Sequence, residues 1–527
     1  MAHYSILIKN GRVIDGTGAL MRKADVGVLD ERIADVGDLA GSGADTVIDA
    51  AGKYVTPGFV DLTGHSDTHW TLFTQPTQES LLCQGITTVL GGNCGSSLAP
   101  LVSGEDIEGI GRWANIREIN INWQTFAELQ SVLRERAFGV NVASLVGFGT
   151  LRRGVIGEEN RAADGEEIRQ IKFLLSRSFD DGAAGISFNL GASHEQAARD
   201  HEIAEVLHVA AGATRLVKHH LEDEGQHLLP ALSRVLGFAR RTNARTQISH
   251  FKALGRGAWE QFQTALEMIE RARDAGFAVT VDFFPYTRTG SRLIDVLPAW
   301  VREGSESQII SRLRDEGRRK DVHDAIKALT LHYERITIAS VLRGGSSVGD
   351  TIAAVSARSG LAPEAVIVEL LVHNELNVAI FNEVIASEHL ETLATKPYAL
   401  IASDGVGYAL GARLQMDFPH PRSFGAFPQA LAWFVKDRNV IGWEALLHKM
   451  TGLPAAAAGI RNRGLVSPGA FADIVLFDPE RIAAPADYAN PYQAENGIDT
   501  VLVNGGIALR DGTLNKQSFG RFITVSS

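Results

Sequence analysis

Cysteine is nearly absent from this chain of 527 residues, which contains only Cys83 and Cys94. Two cysteines cannot form the disulfide framework that stabilises small secreted proteins, so disulfides are excluded as a major source of stability. At most one of the two is expected to matter chemically. The chain also lacks an excess of basic residues, since 51 Lys and Arg stand against 62 Asp and Glu, a net charge of -11. Nucleic acid is therefore not an expected partner.

Long apolar segments are missing as well. The amino terminus lacks the charged region and apolar run of a secretion signal, so we expect a cytoplasmic protein. An uncharged stretch covers residues 80–101, but several glycines interrupt it and Pro100 stands near its end. We interpret it as buried core and predict no membrane association. With 45% hydrophobic residues, the chain can form one large domain and a smaller one.

Both ends of the chain consist of short β-like segments separated by turns. We predict that residues 1–58 and 460–527 together form a small β-sandwich domain, because chain termini are often close in space. The polar tail after Gly512 is expected to be loosely ordered.

The central part, residues 59–459, alternates apolar β-branched runs with helical patterns, which is typical of a parallel α/β sheet. Eight runs predict a (β/α)8 TIM-like barrel, and an open doubly wound sheet is the alternative. Residues 288–397 are too many for one connection, so we predict an insertion after strand 7, unless one of its own strands is the true seventh. The runs cover residues 59–65, 87–94, 140–149, 183–190, 213–221, 246–251, 278–286 and 398–404.

Several of these runs end in residues that bind metals. Active sites of such barrels lie at the carboxyl ends of the strands, so these residues are expected to meet. A single histidine at a strand end is more often a packed core residue, but imidazole, thiolate and carboxylate together favour a zinc site. His219 should face away from the site if His220 faces it, and Cys83, among leucines, is expected to pack as a small apolar residue. The strand-end candidates are His65, Cys94, His220, His250 and Asp404.

The sequence resembles the D-aminoacylase (N-acyl-D-amino-acid deacylase) branch of the amidohydrolase superfamily over nearly its whole length. The Gly-Asn-Cys-Gly segment followed later by Ser-Asp-Gly is specific to this branch. The matching segments include Pro57-Gly58-Phe59-Val60-Asp61, Gly92-Asn93-Cys94-Gly95, Ser249-His250-Phe251-Lys252, Ser403-Asp404-Gly405 and Pro419-His420-Pro421-Arg422.

The resemblance implies a tightly held zinc ion on Cys94, His220 and His250, with Asp404 as the general base. His65 is implied as a weak ligand or a neighbouring donor. For binding the carboxylate of the substrate, the resemblance implies Lys252, Tyr286, Ser291 and Arg422.

The sequence departs from the pattern of this branch at three positions. Thr63 stands where relatives have the first histidine of a strand-one pair that holds a second metal, so we predict one zinc ion. Phe148 and Glu222 replace a more common histidine and arginine, and we expect both to alter the mouth of the site.

The implied activity is zinc-dependent hydrolysis of the amide bond of N-acyl amino acids, of the D series by resemblance. Two alternatives remain at this point. One is a cyclic-amide hydrolase of the hydantoinase or dihydroorotase type, against which Thr63 and Cys94 speak. The other is a non-catalytic relative that binds small molecules, against which the retention of Asp404 and the three ligands speaks.

Overall fold

The computed structural model describes residues 2–102, 119–157, 159, 161–302, 306–329, 331–411, 419–494 and 496–525. Its strands are β1 (His3–Val13), β2 (Arg22–Leu29), β3 (Arg32–Gly37), β4 (Gly43–Asp49), β5 (Tyr54–Pro57), β6 (Phe59–Asp61), β7 (Ile86–Gly91), β8 (Asn141–Ser144), β9 (Val146–Gly147), β10 (Gly185–Asn189), β11 (Leu216–His220), β12 (Arg245–Ile248), β13 (Val279–Phe283), β14 (Arg288–Arg292), β15 (Ile336–Val341), β16 (Val378–Glu383), β17 (Ala399–Ile401), β18 (Ile474–Phe477), β19 (Ile498–Val503), β20 (Gly506–Arg510) and β21 (Thr513–Leu514).

Helices follow most of the parallel strands. They are α1 (Thr71–Thr74), α2 (Glu79–Leu82), α3 (Phe126–Arg134), α4 (Phe148–Ile156), α5 (Gly165–Asp180), α6 (Ser193–Gln196), α7 (Asp200–Gly212), α8 (Leu228–Thr242), α9 (Arg256–Trp259), α10 (Phe262–Asp274), α11 (Glu306–Arg314), α12 (Arg319–Ala328), α13 (Ile352–Ser359), α14 (Pro363–His373), α15 (Ser387–Thr395), α16 (Arg422–Ala430), α17 (Trp443–Met450) and α18 (Gly452–Ala458). In the described part of the chain, none of them combines the length and the apolar character that crossing a membrane requires.

The two ends of the chain share one nine-stranded sheet. Strand β18 pairs antiparallel with β5, which joins the carboxyl-terminal strands to the amino-terminal ones. The long strand β1 pairs with β4 along His3–Lys9 and with β5 at Arg12 and Val13, so it connects several strands of this sheet. The arrangement of these strands as a sandwich stays a prediction.

The central strands are parallel and follow one another in sequence order. One sheet has the order β6-β7-β8, and the other has the order β9-β10-β11-β12-β13-β17. Between them, β8 and β9 are successive parts of the third strand, interrupted at Leu145. Because β17 pairs directly with β13, the segment 288–397 lies between the seventh and eighth parallel strands.

This inserted segment contains a three-stranded antiparallel sheet, β14-β16-β15, and its own apolar core. Leu293, Ile338, Ile367 and Ile380 are among the buried members of that core. The insertion is therefore a packed unit of its own. It joins the rest of the chain near Val384, whose carbonyl accepts hydrogen bonds from Gly255 N and the Trp259 indole.

The carboxyl-terminal tail is ordered through Val525, contrary to the expectation of a loose tail. Gly520 and Phe522 form bridges with Phe138 and Val142, and the Val525 carbonyl accepts a hydrogen bond of 2.7 Å from Arg215. The polar composition did not reveal this packing, because only Phe522 and Val525 in the described part of the tail are buried apolar residues, while Phe519 and Ile523 are partly buried against the cores.

Candidate metal centre and active site

Three predicted ligands meet at the carboxyl ends of their strands. Cys94 follows β7, His220 ends β11 and His250 follows β12. Their donor atoms all lie within 4.8 Å of one another, with Cys94 Sγ 3.5 Å from His250 Nε2. One sulfur and two imidazole nitrogens form a donor set that suits zinc and leaves a fourth position open.

The backbone at two of these ligands is in the left-handed region, with φ of 53° at Cys94 and 36° at His250. Non-glycine residues hold such conformations only where neighbours fix them. At His250 the fixing contact is its N–H, which donates to Asp282 Oδ1 at 2.6 Å. Cys94 is held within a turn whose next residue, Gly95, donates its N–H to Ser187 Oγ at 3.0 Å.

The surroundings favour the thiolate form of Cys94. Burial alone would raise its pKa, but hydrogen bonds with His220, His250 and His65 hold the pKa of Cys94 well below its ordinary value. A thiolate is the form that binds metals. Cys83, in contrast, is buried among apolar side chains, and this burial raises its pKa to about 12.

A carboxylate that the sequence analysis missed supports His250 from the side opposite Cys94. Glu224 Oε1 lies 2.9 Å from His250 Nδ1, and Lys252 Nζ donates to the same carboxylate at 2.6 Å. Although burial opposes the charge, Lys252 and His250 hold the pKa of Glu224 far below its usual range. Carboxylates in this position orient metal-binding imidazoles. The only sequence signal for Glu224 is its location four residues after His220.

Asp404 follows β17 and bonds to two cationic groups. Its Oδ1 lies 3.0 Å from His65 Nε2, and its Oδ2 lies 2.6 Å from Arg422 Nη1. Burial would raise the pKa of Asp404, but Arg422, His250 and His65 hold it well below its ordinary value. Burial lowers the pKa of His65, and its bonds to Asp404 and Cys94 outweigh this and raise it to about 10. The structure therefore brings His65, Asp404 and Arg422 together beside Cys94.

Aromatic rings line the side of the site next to Arg422. The Tyr286 ring lies 5.3 Å from that of His420, which is 5.2 Å from that of Tyr488. Tyr286 is buried, and within the described residues its hydroxyl has no hydrogen-bond partner. The sequence analysis did not assign a role to His420, although it quoted its motif, and it missed Tyr488, which comes from the carboxyl-terminal part of the chain.

Ser291 lies on β14 of the insertion. The preceding residue, Gly290, faces the active site, since a Cβ placed on it would be 3.5 Å from His420 and 3.8 Å from Arg422. Ser291 is half-buried, and within the described residues its side chain makes no hydrogen bond to the groups around Asp404. Of the predicted substrate-binding residues, Tyr286 and Arg422 are therefore near Asp404, Lys252 is near His250, and Ser291 is at the edge.

One of the departures noted in the sequence is not in the mouth of the site. Phe148 is fully buried and packs on Phe188, with ring centroids 4.7 Å apart. Because Phe148 begins α4, its ring turns into the core, which corrects the expectation that it shapes the mouth. Glu222 forms an ion pair with Arg234 of α8. His219 stacks on Phe188 at 4.9 Å, on the face of β11 opposite to His220.

The family model described as the amidohydrolase family matches residues 46–508 of the chain. The chain belongs to the amidohydrolase family. It is 31% identical over 525 residues to the D-aminoacylase of Alcaligenes xylosoxydans xylosoxydans, covering 99% of this chain and 97% of the relative. These matches confirm the predicted D-aminoacylase branch of the amidohydrolases.

Two solved structures of the same branch are similar to this amidohydrolase along its whole length. One is the N-acyl-D-glutamate deacylase of Bordetella bronchiseptica, complexed with zinc and a phosphonate inhibitor that mimics the tetrahedral intermediate of the reaction. It has a TM-score of 0.83 and 28% identity, and the match covers 99% of this chain and 100% of that one. The other is a structure of D-aminoacylase that concerns the functional role of its binuclear metal centre, in which one metal activates and the second metal attenuates. It has a TM-score of 0.81, 30% identity and the same coverage.

Proposed function

We propose that this amidohydrolase uses one zinc ion to hydrolyse N-acyl amino acids, of the D series, to a carboxylate and a free amino acid. The observation that carries the proposal is the approach of Cys94, His220 and His250 to within 4.8 Å beside Asp404. Its support is the similarity, over the whole chain, to a D-aminoacylase and to an N-acyl-D-glutamate deacylase. A cytoplasmic location and the domain division 1–58 plus 460–527 against 59–459 stay predictions.

We further infer that the two parallel sheets are parts of one (β/α)8 barrel. The first and eighth strands are joined by hydrogen bonds from Ser403 N to Asp61 Oδ1 at 3.1 Å and from His65 N to the Gly405 carbonyl at 2.9 Å. Together with the split third strand, these bonds bring every strand end to a common mouth, as the proposed site requires.

In the proposed reaction, Cys94, His220 and His250 would hold the metal. When bound, zinc polarises an amide carbonyl and makes a water molecule more acidic. Asp404 is the group in reach to accept the proton of the attacking water and to deliver it to the leaving nitrogen. Its two hydrogen bonds, to His65 and Arg422, fix the carboxylate in position and keep it ionised at neutral pH.

The amino-acid carboxylate of the substrate needs cationic and hydroxyl partners. Arg422 offers a guanidinium suited to bidentate binding, and the unpaired Tyr286 hydroxyl lies close to it. Lys252 and Ser291 are the further proposed donors, with Lys252 bonded to Glu224 in the free protein. Because β14 and Tyr488 line this side, the insertion and the carboxyl-terminal segment are positioned to select the substrate side chain.

The test is a screen of N-acetyl-D- and N-acetyl-L-amino acids with detection of the released amine, and zinc content measured in parallel. Asp404→Asn should retain zinc and lose about 10²- to 10⁴-fold in kcat, because it removes the proton acceptor. Asp324→Asn, at an exposed position far along the insertion, is the matched control. An active Asp404→Asn enzyme would refute the assignment.

The same screen separates the alternatives. Turnover of hydantoins or dihydroorotate without turnover of linear N-acyl amino acids would favour a cyclic-amide hydrolase. Well under about one zinc per chain, with no hydrolysis restored by added Zn²⁺, would favour a non-catalytic binding protein.

A further inference from the structure

A lysine ammonium lies beneath the proposed metal centre. Lys218 is fully buried on β11, two residues before His220, so the two side chains share one face of the strand. Its Nζ donates to the Leu62 carbonyl at 2.5 Å and to Thr63 Oγ1 at 2.6 Å, and it lies 3.2 Å from Asp282 Oδ2. Two hydrogen bonds and one ion pair therefore hold the ammonium in place.

Asp282 connects this ammonium to a metal ligand. Its other oxygen, Oδ1, accepts the hydrogen bond of the His250 N–H at 2.6 Å, and the side chain of Gln247 donates to Oδ2. Lys218 thus connects the end of strand one to the turn that carries His250. A second metal ion, if it were bound by residues at the end of strand one, would connect the same two segments.

The charges around the centre are already paired. Each of three buried carboxylates has a side-chain cation of its own: Asp404 has Arg422 at 2.6 Å, Glu224 has Lys252 at 2.6 Å, and Asp282 has Lys218 at 3.2 Å.

Two other buried carboxyls at the end of strand one, Asp61 and Asp67, are bonded to Ser403 and to Gly92 N. Among these groups, the Cys94 thiolate is the anion left for a metal. One divalent ion bound to this thiolate already leaves an excess of one positive charge, and a second ion would meet a neutral threonine and a buried cation.

We propose that Lys218 is a tethered cation that occupies the place of a second metal ion beside strand one and limits the centre to one divalent ion. The proposal rests on the metal centre of the proposed function. If the loss of the strand-one histidine were the whole reason for a single metal, restoring a ligand at residue 63 would restore the second metal. The proposal for Lys218 predicts that restoring this ligand is not sufficient.

The test counts metal ions in four proteins: the wild type, Thr63→His, Lys218→Met and the double variant Thr63→His/Lys218→Met. Each full-length protein is saturated with Zn²⁺ by equilibrium dialysis, zinc is measured by mass spectrometry, and the count of a Cys94→Ser variant is subtracted as background. We expect about one zinc per chain in the wild type and in Thr63→His, and about two in the double variant. The double variant substituted with Co²⁺ should also show magnetic coupling between two ions by electron paramagnetic resonance.

A second ion in the wild type or in Thr63→His would overturn the proposal, as would a single ion in a double variant that is folded by circular dichroism. If the double variant does not fold, the counts for the wild type and Thr63→His decide alone. The readout is independent of turnover. One zinc per wild-type chain without hydrolysis of any N-acyl amino acid would refute the proposed function and support the proposal for Lys218. An active wild type with two ions would support the proposed function and refute the proposal for Lys218.

Discussion

Glu195 carries a pH dependence that can be measured directly. It lies in α6 and is 1% exposed, with Oε2 accepting the Asn189 N–H at 2.7 Å and the carboxylate also accepting the Gly149 N–H. Its Oε1 rests on the Cα of Gly95, where any side chain would collide with it. Glu195 therefore packs between the turns that follow three strands, one of which carries Cys94.

Burial raises the pKa of Glu195 from 4.5 to about 8, although the two N–H groups and Arg152 oppose the rise. The folded chain holds this proton more tightly than the unfolded chain does. Between pH 4.5 and pH 8 the unfolded chain loses the proton first, so the folding stability contributed by this proton falls as the pH rises. A rise of this size corresponds to a loss of about 5 kcal/mol across that window.

The perturbation is Glu195→Gln, which keeps the shape of the protonated acid and cannot ionise. Urea unfolding of metal-free wild type and variant should show a difference in unfolding free energy that shifts in favour of the variant by up to about 5 kcal/mol between pH 4.5 and pH 8.5. Other titrating groups are common to both proteins and cancel in the difference. Glu166→Gln, an exposed substitution on α5, is the matched control. A difference for Glu195→Gln that stays constant within about 1 kcal/mol would refute the reasoning.

Four further substitutions test individual contacts. Cys94→Ala should abolish zinc retention on dialysis, whereas Cys83→Ala should keep the metal and lose about 1 kcal/mol of stability in urea; equal zinc contents would contradict this. Glu224→Gln should weaken zinc binding about 10- to 100-fold in a chelator competition, because the hydrogen bond to His250 Nδ1 is weakened. An unchanged zinc affinity would indicate that Glu224 serves only as the partner of Lys252. His219→Phe should leave the zinc content unchanged and should not lower the melting temperature. The reason is that, in the described structure, neither ring nitrogen of His219 has a hydrogen-bond partner, and burial lowers its pKa to about 3. Loss of the metal in this variant would indicate that His219 is a ligand.

The main features of the site follow from the sequence because parallel strands place their carboxyl ends together. Cys94, His220 and His250 are far apart in the chain, yet each follows an apolar run, and that regularity is enough to predict their meeting. Glu224 has no such regularity. It lies in an acidic loop after β11, and only the three-dimensional path of that loop brings it 2.9 Å from His250.

The fold shows the same division between regular and irregular features. The count of apolar runs predicts the parallel strands and the location of the insertion, because both depend on periodicity. The terminal sheet depends on the pairing of β18 with β5, which are distant in sequence, and the packed tail depends on a few contacts with distant residues, such as the bridge between Phe522 and Val142. Neither of these leaves a periodic pattern that sequence analysis could recognise.

Thr63 and Lys218 show why a missing ligand is an incomplete description of a metal site. The sequence presents Thr63 as a loss and Lys218 as an unremarked strand residue, and the 2.6 Å hydrogen bond between them joins the two observations. A buried ammonium without acceptors destabilises a protein by about 3–5 kcal/mol, so Lys218 requires the acceptors that it finds at Leu62, Thr63 and Asp282. A divalent ion bound at the end of strand one would compete for the same groups and repel the ammonium. Lysine at residue 218 and a metal-binding histidine at residue 63 are therefore mutually unfavourable, and the number of metal ions depends on both residues together.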